Sequence, residues 1–518
     1  MTLTYELKQQ LKFPPWQIHA YTKTILRDVG LLLHVPGVMA LLSLPVCLIF
    51  GEYYAIWPFV FTAIISFSLG QLLYQVFRQA EAAEIQHAML IVALSWGIVP
   101  LLGAIPFVAI ASYLAAFPQT SQTIREFQHP LNAIFEAVSG YTSTGLTMAL
   151  DASQLPHTLQ WWRSFTEWIG GVGIIVLMLS VLEPSADPDQ LYQAAGRQKK
   201  ISPTIVGTAR KIWKIYLLYT VFSVLLLGLL GMPWWEALNH AMTGISTGGF
   251  SITSKSFTVY TPILQLAAIA IMITGAISFS VHAQFLSQRR LSALWRDPSH
   301  RALWLLLVLG TILLLLTHYS FTGSLSWLDS LFQWVSALTT CGFNTVKIQD
   351  WSPSARLLIS LGMIFGAASG SICGGLKLSR IVTLYKAVVW HLQQIFLKSD
   401  QHIKYKLDSQ ELTEIEAHRQ IRTATVLATL WLGFLGVGVF VLLHVVEPQY
   451  TVPDVILEAA SAMGTSGLSV GITNPDLHWI GKLILILFMW MGRVEIIPVL
   501  VLFASFLRPV RQVIRIKK

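Results

Sequence analysis

Ten stretches of roughly 20 mostly apolar residues, the length that crosses a bilayer as a helix, start near residues 31, 55, 88, 158, 212, 259, 302, 355, 423 and 477 of this 518-residue chain. In lipid every backbone polar group must be satisfied within the protein, so such spans are helices or closed barrels, and runs of this length are helices. Composition agrees: 54% of the residues are apolar and only 12% charged, against about 25% charged in soluble domains. The net charge of +9 is not a nucleic-acid footprint, because the basic residues sit in short clusters beside the spans, where they set topology. One set of loops carries Arg197, Lys199, Lys200, Arg210 and Lys211, then Arg289, Arg290, Arg296 and Arg301, then Lys398, Lys404 and Lys406. The tail adds Arg508, Arg511, Arg515, Lys517 and Lys518. The intervening loops hold few positive charges, so the basic loops and both termini are expected in the cytoplasm. The first 28 residues, with Lys8, Lys12, Lys23 and Arg27, read as a cytoplasmic or interfacial lead-in. Cys47, Cys341 and Cys373 lie in apolar or pore-like sequence and form no disulfide framework.

Four segments break the pattern of spans and loops. They read EAVSGYTSTGLT (136–147), HAMTGISTGGFS (240–251), QWVSALTTCGFN (333–344) and EAASAMGTSGLS (458–469). Without gaps they align a glycine (Gly145, Gly249, Gly342, Gly467), followed by Leu or Phe and then a small polar residue. Ser143, Thr247, Thr340 and Thr465 stand two places before the glycine, and Ser139, Thr243, Ser336 and Ser461 six places before it. Each copy holds an apolar run too short to span, between one spanning helix and the next. Re-entrant helices on the outer side fit this, since irregular backbone at membrane depth survives only in protein or facing a water-filled cavity. Small-residue helix packing is the competing reading, because membrane helices are rich in Gly, Ser and Thr. It does not explain four registered copies.

The residue types suit cation passage. A dehydrated monovalent cation needs oxygens in place of its water shell, and rings of backbone carbonyls supply them. Aiming carbonyls inward from an extended strand requires backbone angles that glycine reaches freely. The short helix before the strand points the negative end of its dipole at the ion. The segments that would line the ring are Thr142, Ser143, Thr144 and Gly145; Ser246, Thr247, Gly248 and Gly249; Thr339, Thr340, Cys341 and Gly342; and Gly464, Thr465, Ser466 and Gly467. No HExxH, GxSxG, paired intramembrane Asp, metal-spaced Cys/His cluster or GxxxxGK[ST] stands in the sequence, so neither an enzyme nor an ATP-driven pump is expected.

Three further motifs make the chain resemble the membrane subunit of Trk-type potassium uptake systems, in the Trk/Ktr/HKT superfamily. WWRSFTEWIGGVGIIVL (161–177) follows the first pore segment, with Trp168, Gly170, Gly171 and Gly173; GAASGSICGGLKLSR (366–380) follows the third; MGRVEIIPVLVLF (491–503) follows the fourth. The resemblance implies an all-α integral membrane fold, with four tandem helix–pore loop–helix repeats around one pore behind an extra two-helix hairpin. Its divisions would be a lead-in over 1–28, the hairpin over 29–80, and repeats over 81–195, 196–292, 293–405 and 406–518, the last including the basic tail. It implies potassium as the transported ion, held at Thr144, Gly145, Gly248, Gly249, Cys341, Gly342, Ser466 and Gly467, with no covalently bound cofactor. It also implies a gate: residues 366–375 as an intramembrane loop, with Gly366, Gly370, Gly374, Gly375, Lys377 and Arg493 as gating residues. A glycine-rich run is a poor helix interior, each Gly costing about 1 kcal/mol relative to Ala, which agrees with a break there. The implied setting is a bacterial inner membrane, as a homodimer under a cytosolic nucleotide-binding, TrkA-like regulatory subunit.

Departures from the family pattern are local. The run Ser371-Ile372-Cys373-Gly374-Gly375 replaces one in which relatives commonly carry a further Thr and Gly. Gly145 is intact, where a serine accompanies sodium transport in the plant branch. Arg493 has either a pore-facing role or an ion pair with Glu495, although a spacing of two places them on different helix faces. Lys377 and Arg380 are gate residues or ordinary inside-facing anchors. A sodium- or proton-coupled symporter is the alternative to a channel-like protein, with His282 as a coupling group or a packing residue.

Overall fold

A computed structural model describes residues 17–81, 85–174, 176, 179, 201–289, 292–396, 405–407 and 410–505. The basic residues at 197–200, 290, 398–404 and 508–518 lie outside the described residues. The described chain is helical apart from two paired two-residue strands, Lys406–Leu407 and Gln410–Glu411.

Among the described residues, six helices are long and apolar enough to cross a membrane: Thr22–Ile49, Tyr53–Val76, Gln86–Leu114, Ile205–Leu229, Pro298–Thr322 and Glu414–Leu443. The other expected spans are broken rather than absent. Pro262–Ala276 and Phe279–Gln288 meet at 102°, and Trp479–Val494 and Ile496–Ser505 at 115°. The span expected near 355 is the 13-residue helix Pro353–Phe365, and the one near 158 is the 16-residue helix His157–Val172. Hydropathy alone joins these pieces because the breaks are themselves apolar or glycine-rich.

The first span starts earlier than the hydropathy suggests, in a helix from Gln17, because Arg27 and Asp28 are buried together. Arg27 Nε donates to Asp28 Oδ1 at 2.8 Å, and its Nη1 donates to the Ala80 carbonyl at the far end of the hairpin. The two opposite charges are thus buried as a hydrogen-bonded pair. The two hairpin helices touch through Gly30 and Gly70, where a Cβ on Gly30 would lie 2.8 Å from the Gly70 carbonyl oxygen. Small residues let membrane helices approach in this way. In the hairpin turn, Glu52 accepts from His157 N (2.8 Å) and Thr158 N (2.9 Å). A carboxylate there satisfies the first free amides of helix His157–Val172.

Each repeat holds a long first helix, a 12-residue pore helix and a second helix. The pore helices are Pro130–Tyr141, Trp234–Ile245, Trp327–Leu338 and Val452–Met463. Their starts follow helix-entry chemistry, with Pro130 at the first position and Thr451 closing a capping box with Asp454. The second helix of each repeat packs on the pore helix of the next, and that of the fourth packs on the first. The four repeats therefore close into a ring. Leu225, Leu229, Val308, Leu309, Leu316, Val437 and Phe440 are exposed on the long first helices, the apolar belt that lipid covers.

Candidate functional site: a four-stranded pore ring and the layer of helix breaks beneath it

All sixteen residues expected to line the pore lie in the four strands that leave the pore helices, and each helix ends the same way. Thr142, Ser246, Thr339 and Gly464 are the C-caps, with φ between −75° and −82°. The next residue, Ser143, Thr247, Thr340 or Thr465, takes φ near +50°. Its amide bonds back three residues (Ser143 N to Gly140 O, 2.8 Å), while the following amide bonds back five (Thr144 N to Ser139 O, 2.9 Å). The same pair recurs in the other copies, ending on Thr243, Ser336 and Ser461. This is a Schellman termination, whose left-handed position is usually glycine. Here it is a hydroxyl residue four times, which the sequence pattern marks but does not explain. Ser143 Oγ holds the turn by donating to Glu167 O at 2.8 Å.

The aligned glycines come next, at φ 90°, 85°, 92° and 88°. A Cβ on Gly145 would land on the Gly248 carbonyl oxygen, one on Gly249 on Cys341 O, one on Gly342 on Ser466 O, and one on Gly467 on Thr144 O. Each glycine thus abuts the carbonyl preceding the glycine of the next repeat, and the chain of contacts returns to its start. Eight residues from four distant segments form one closed ring. Both the positive φ and the neighbouring carbonyl exclude a side chain there.

Buried polar side chains behind the ring hold the outgoing strands. They start from the first residue of each 12-residue segment, a polar position outside the columns that align the four copies. Glu136 accepts from Thr147 Oγ1 (2.8 Å), Met148 N (2.7 Å) and Arg163 Nε (2.6 Å). Arg163 in turn donates to Ser251 O at 2.9 Å and lies over the Phe250 ring. Glu458 accepts from Ser469 Oγ (2.8 Å), Val470 N (3.2 Å) and Thr473 N (3.0 Å). His240 Nε2 meets Ser251 Oγ at 2.9 Å, and Gln333 Nε2 donates to Thr345 Oγ1 at 3.4 Å. The chemistry differs between repeats, but the position and the task do not. Polar residues in the apolar pore helices were the available signal.

Beneath the ring every second helix is interrupted. Helix His157–Val172 ends at Gly173 (φ 93°) and Pro353–Phe365 at Gly366 (φ 66°), whereas Trp479–Val494 ends at Glu495 (φ 71°). The sequence pointed to a break in the third repeat only. Residues 366–377 form its loop, which is tied to the second and fourth repeats. Ile372 N donates to Gly275 O (3.3 Å) and Phe279 N to Gly370 O (3.1 Å), at the break of the second repeat. Gly374 N donates to Thr340 Oγ1 at 2.9 Å, and a Cβ on Gly374 would strike Gly464 O and Thr465 Oγ1. The loop therefore lies against the underside of the ring, and Gly374 and Gly366 are at close approaches. A Cβ on Gly366 would meet Gly374 O.

Arg493 joins the layer together. It donates to Ile372 O (3.0 Å) in the loop and to Gly170 O and Gly171 O (2.6 Å for the latter) in the first repeat. The guanidinium stands 5.5 Å from the Trp96 ring centroid. Glu495 pairs elsewhere, accepting from Arg380 at 2.8 Å on both oxygens and from Lys377 at 3.5 Å. A cavity of about 60 Å³ lies here, lined by Trp96, Gly173, residues 370–374, Lys377 and Arg493. His282, the candidate coupling group, has both ring nitrogens engaged, Nδ1 with Tyr219 OH and Nε2 with Thr274 O, each at 2.9 Å.

Comparison with known proteins agrees with this architecture. Residues 57–509 match the TrkH family, described as a cation transport protein. An uncharacterized cation transporter of Methanocaldococcus jannaschii is 33% identical over 92% of this chain and 96% of its own length. The Trk system potassium uptake protein TrkH of Salmonella typhimurium is 31% identical over 93% of this chain and 98% of its own. The crystal structure of the potassium transporter TrkH from Vibrio parahaemolyticus superposes with a TM-score of 0.78 at 27% identity, covering 93% of this chain and 98% of that one. The motif resemblance and the ring of repeats thus have the same origin: the chain is a multi-pass membrane protein that belongs to the TrkH family of cation transport proteins.

Proposed function

We propose that this protein takes up potassium across the cytoplasmic membrane, channel-like, through the ring of backbone carbonyls at Thr144, Gly248, Cys341 and Ser466 and the glycines that follow them. The observation that carries the reading is the closed ring of contacts from Gly145 through Gly249 and Gly342 to Gly467 and back. Four strands in one conformation, each ending a short helix whose negative pole faces inward, supply fixed oxygens that replace a cation's water shell. Uptake then needs only the membrane potential: about 2.3 kcal/mol per charge per 100 mV, roughly 50-fold accumulation. The Salmonella and Vibrio relatives are named for potassium, which supports that ion here.

Residues 366–375 act as the gate in this reading, with Gly366, Gly370, Gly374 and Gly375 supplying its turns. Arg493 adds a fixed positive charge that opposes cation passage while the loop is closed. Lys377 and Arg380 act through Glu495, as a clamp between the exit of the loop and the break of the fourth repeat. Both termini are cytoplasmic, two copies associate with one pore in each, and the basic cytoplasmic loops receive a nucleotide-binding regulatory subunit. The segment boundaries at 28, 80, 195, 292 and 405 belong to the same proposal. The engagement of both His282 nitrogens favours a channel over proton-coupled symport.

The test is cation flux into liposomes holding the purified protein under separate potassium, sodium and pH gradients. Potassium flux that follows the potential and ignores sodium and proton gradients is the expected result. Flux that stops without a sodium or proton gradient would refute the channel reading, and no potassium flux would refute the function.

A further inference from the structure

Three walls of the ring carry a side chain immediately before the glycine, at Thr144, Cys341 and Ser466, and the second repeat carries Gly248 instead. The space behind Gly248 is not empty. A Cβ there would lie 2.5 Å from both Cδ and Oε2 of Glu167, a fully buried residue on helix His157–Val172. Both Glu167 oxygens accept from Phe250 N, at 3.2 and 3.1 Å, the amide directly after the filter glycine Gly249. The Glu167 carbonyl accepts from Ser143 Oγ at 2.8 Å. One residue therefore grips two strands of the ring, the first through its backbone and the second through its carboxyl group.

The other repeats do not do this. Glu167 stands three residues before Gly170, and Met272, Met363 and Met489 stand three before Gly275, Gly366 and Gly492. Gly170, Gly275 and Gly492 are equivalent in space, since a Cβ on each would meet the carbonyl of the last pore-helix residue, Tyr141, Ile245 or Met463. All three methionines are fully buried. A thioether is an apolar gap-filler and a poor acceptor, so only the first helix presents a strong acceptor to the neighbouring strand. Arg163, one turn earlier, is already held by Glu136 and Ser251 O.

We propose that Glu167 is a selectivity-determining positioning residue, paired with Gly248: its carboxyl fills the place of the missing side chain and fixes the second wall through Phe250 N. A wall without a side chain has no packing of its own to hold its carbonyl, and a buried amide left without an acceptor is costly. The acceptor sets where the Gly248 carbonyl points, and with it the cation the ring prefers. This inference rests on the ring being a cation filter.

The experiment measures potassium and sodium flux, and the potassium concentration for half-maximal flux, in liposomes with wild-type protein, E167M, E167Q, G248S and the double variant E167M/G248S. E167M should lose about tenfold in potassium-over-sodium preference and need more potassium for half-maximal flux. E167Q, whose amide oxygen still accepts from Phe250 N, should recover most of the preference. G248S should fail by collision with Glu167, and the double variant, which copies the other walls, should regain flux. Unchanged preference in E167M, an equal loss in E167Q, or a double variant no better than G248S overturns the proposal. Wild-type protein without potassium preference would instead defeat the filter reading itself. If E167M does not fold, E167Q and the G248S pair still decide.

Discussion

The pore ring and the layer of helix breaks lie against each other and are built on opposite plans. In the ring, four segments of different sequence adopt one backbone conformation, to within a few degrees at the hydroxyl residue and at the glycine. In the layer beneath, all four second helices are interrupted, but by different means: a glycine, a 102° bend, a loop of about a dozen residues and a 115° bend. The ring repeats one contact four times, whereas the lower layer is held by single contacts that occur once, such as Arg493 on Ile372 and Gly171. Regularity suits a site that must offer equivalent oxygens to one ion. Irregularity suits a part with two arrangements, since a single unique contact is lost without disturbing three copies of itself.

That contrast can be broken from the ring side first. Glu136→Ala leaves Arg163 buried without its carboxylate, and breaking a buried pair costs about 3–5 kcal/mol, so thermal unfolding in detergent should show the largest loss of any variant named here. A melting temperature equal to wild type would contradict the bracing role of those side chains. Next is Gly145→Ser, which puts a Cβ against the Gly248 carbonyl at a φ of 90°. Forcing such a backbone costs roughly 1–3 kcal/mol, and sodium flux should rise relative to potassium by tenfold or more. An unchanged ion preference would remove Gly145 from the filter.

The lower layer predicts smaller effects on ion choice and larger ones on control. Deleting residues 366–375, or replacing Arg493 with Ala, should raise resting flux several-fold while leaving the potassium-to-sodium ratio near wild type. A closed or unaffected pore would sink the gate assignment, and a shifted ratio would show that the two layers are not separable. Glu495→Gln, which weakens the clamp to Arg380 and Lys377, should have the least effect. Partly exposed ion pairs contribute about 1 kcal/mol or less, so resting flux should rise no more than about fivefold, read in the same liposome assay.

How much of this was legible in the sequence follows the same division. The ring could be found because its geometry demands the same residue types in four places, and four copies make a weak motif strong. What stayed hidden was why Ser143, Thr247, Thr340 and Thr465 recur: a left-handed helix end favours glycine, so a hydroxyl residue there is a signal only once the backbone is known. The breaks were legible only at 366–375, where glycines accumulate. Those at Ile277 and Glu495 carry ordinary residues, and hydropathy runs straight through them. Long-range partners left the least trace. Glu52 caps a helix a hundred residues away, and Glu495 pairs with Arg380 rather than with its neighbour Arg493. No spacing rule reaches that far.

The central claim is that four non-identical strands form one ring in which each glycine is indispensable. The most direct test measures the potassium-to-sodium permeability ratio of four proteins in planar bilayers, each with one of Gly145, Gly249, Gly342 and Gly467 replaced by serine. The ring predicts that every one of the four substitutions lowers the ratio, because each would drive a side chain into a neighbouring carbonyl. A single substitution that conducts with the wild-type ratio would contradict it.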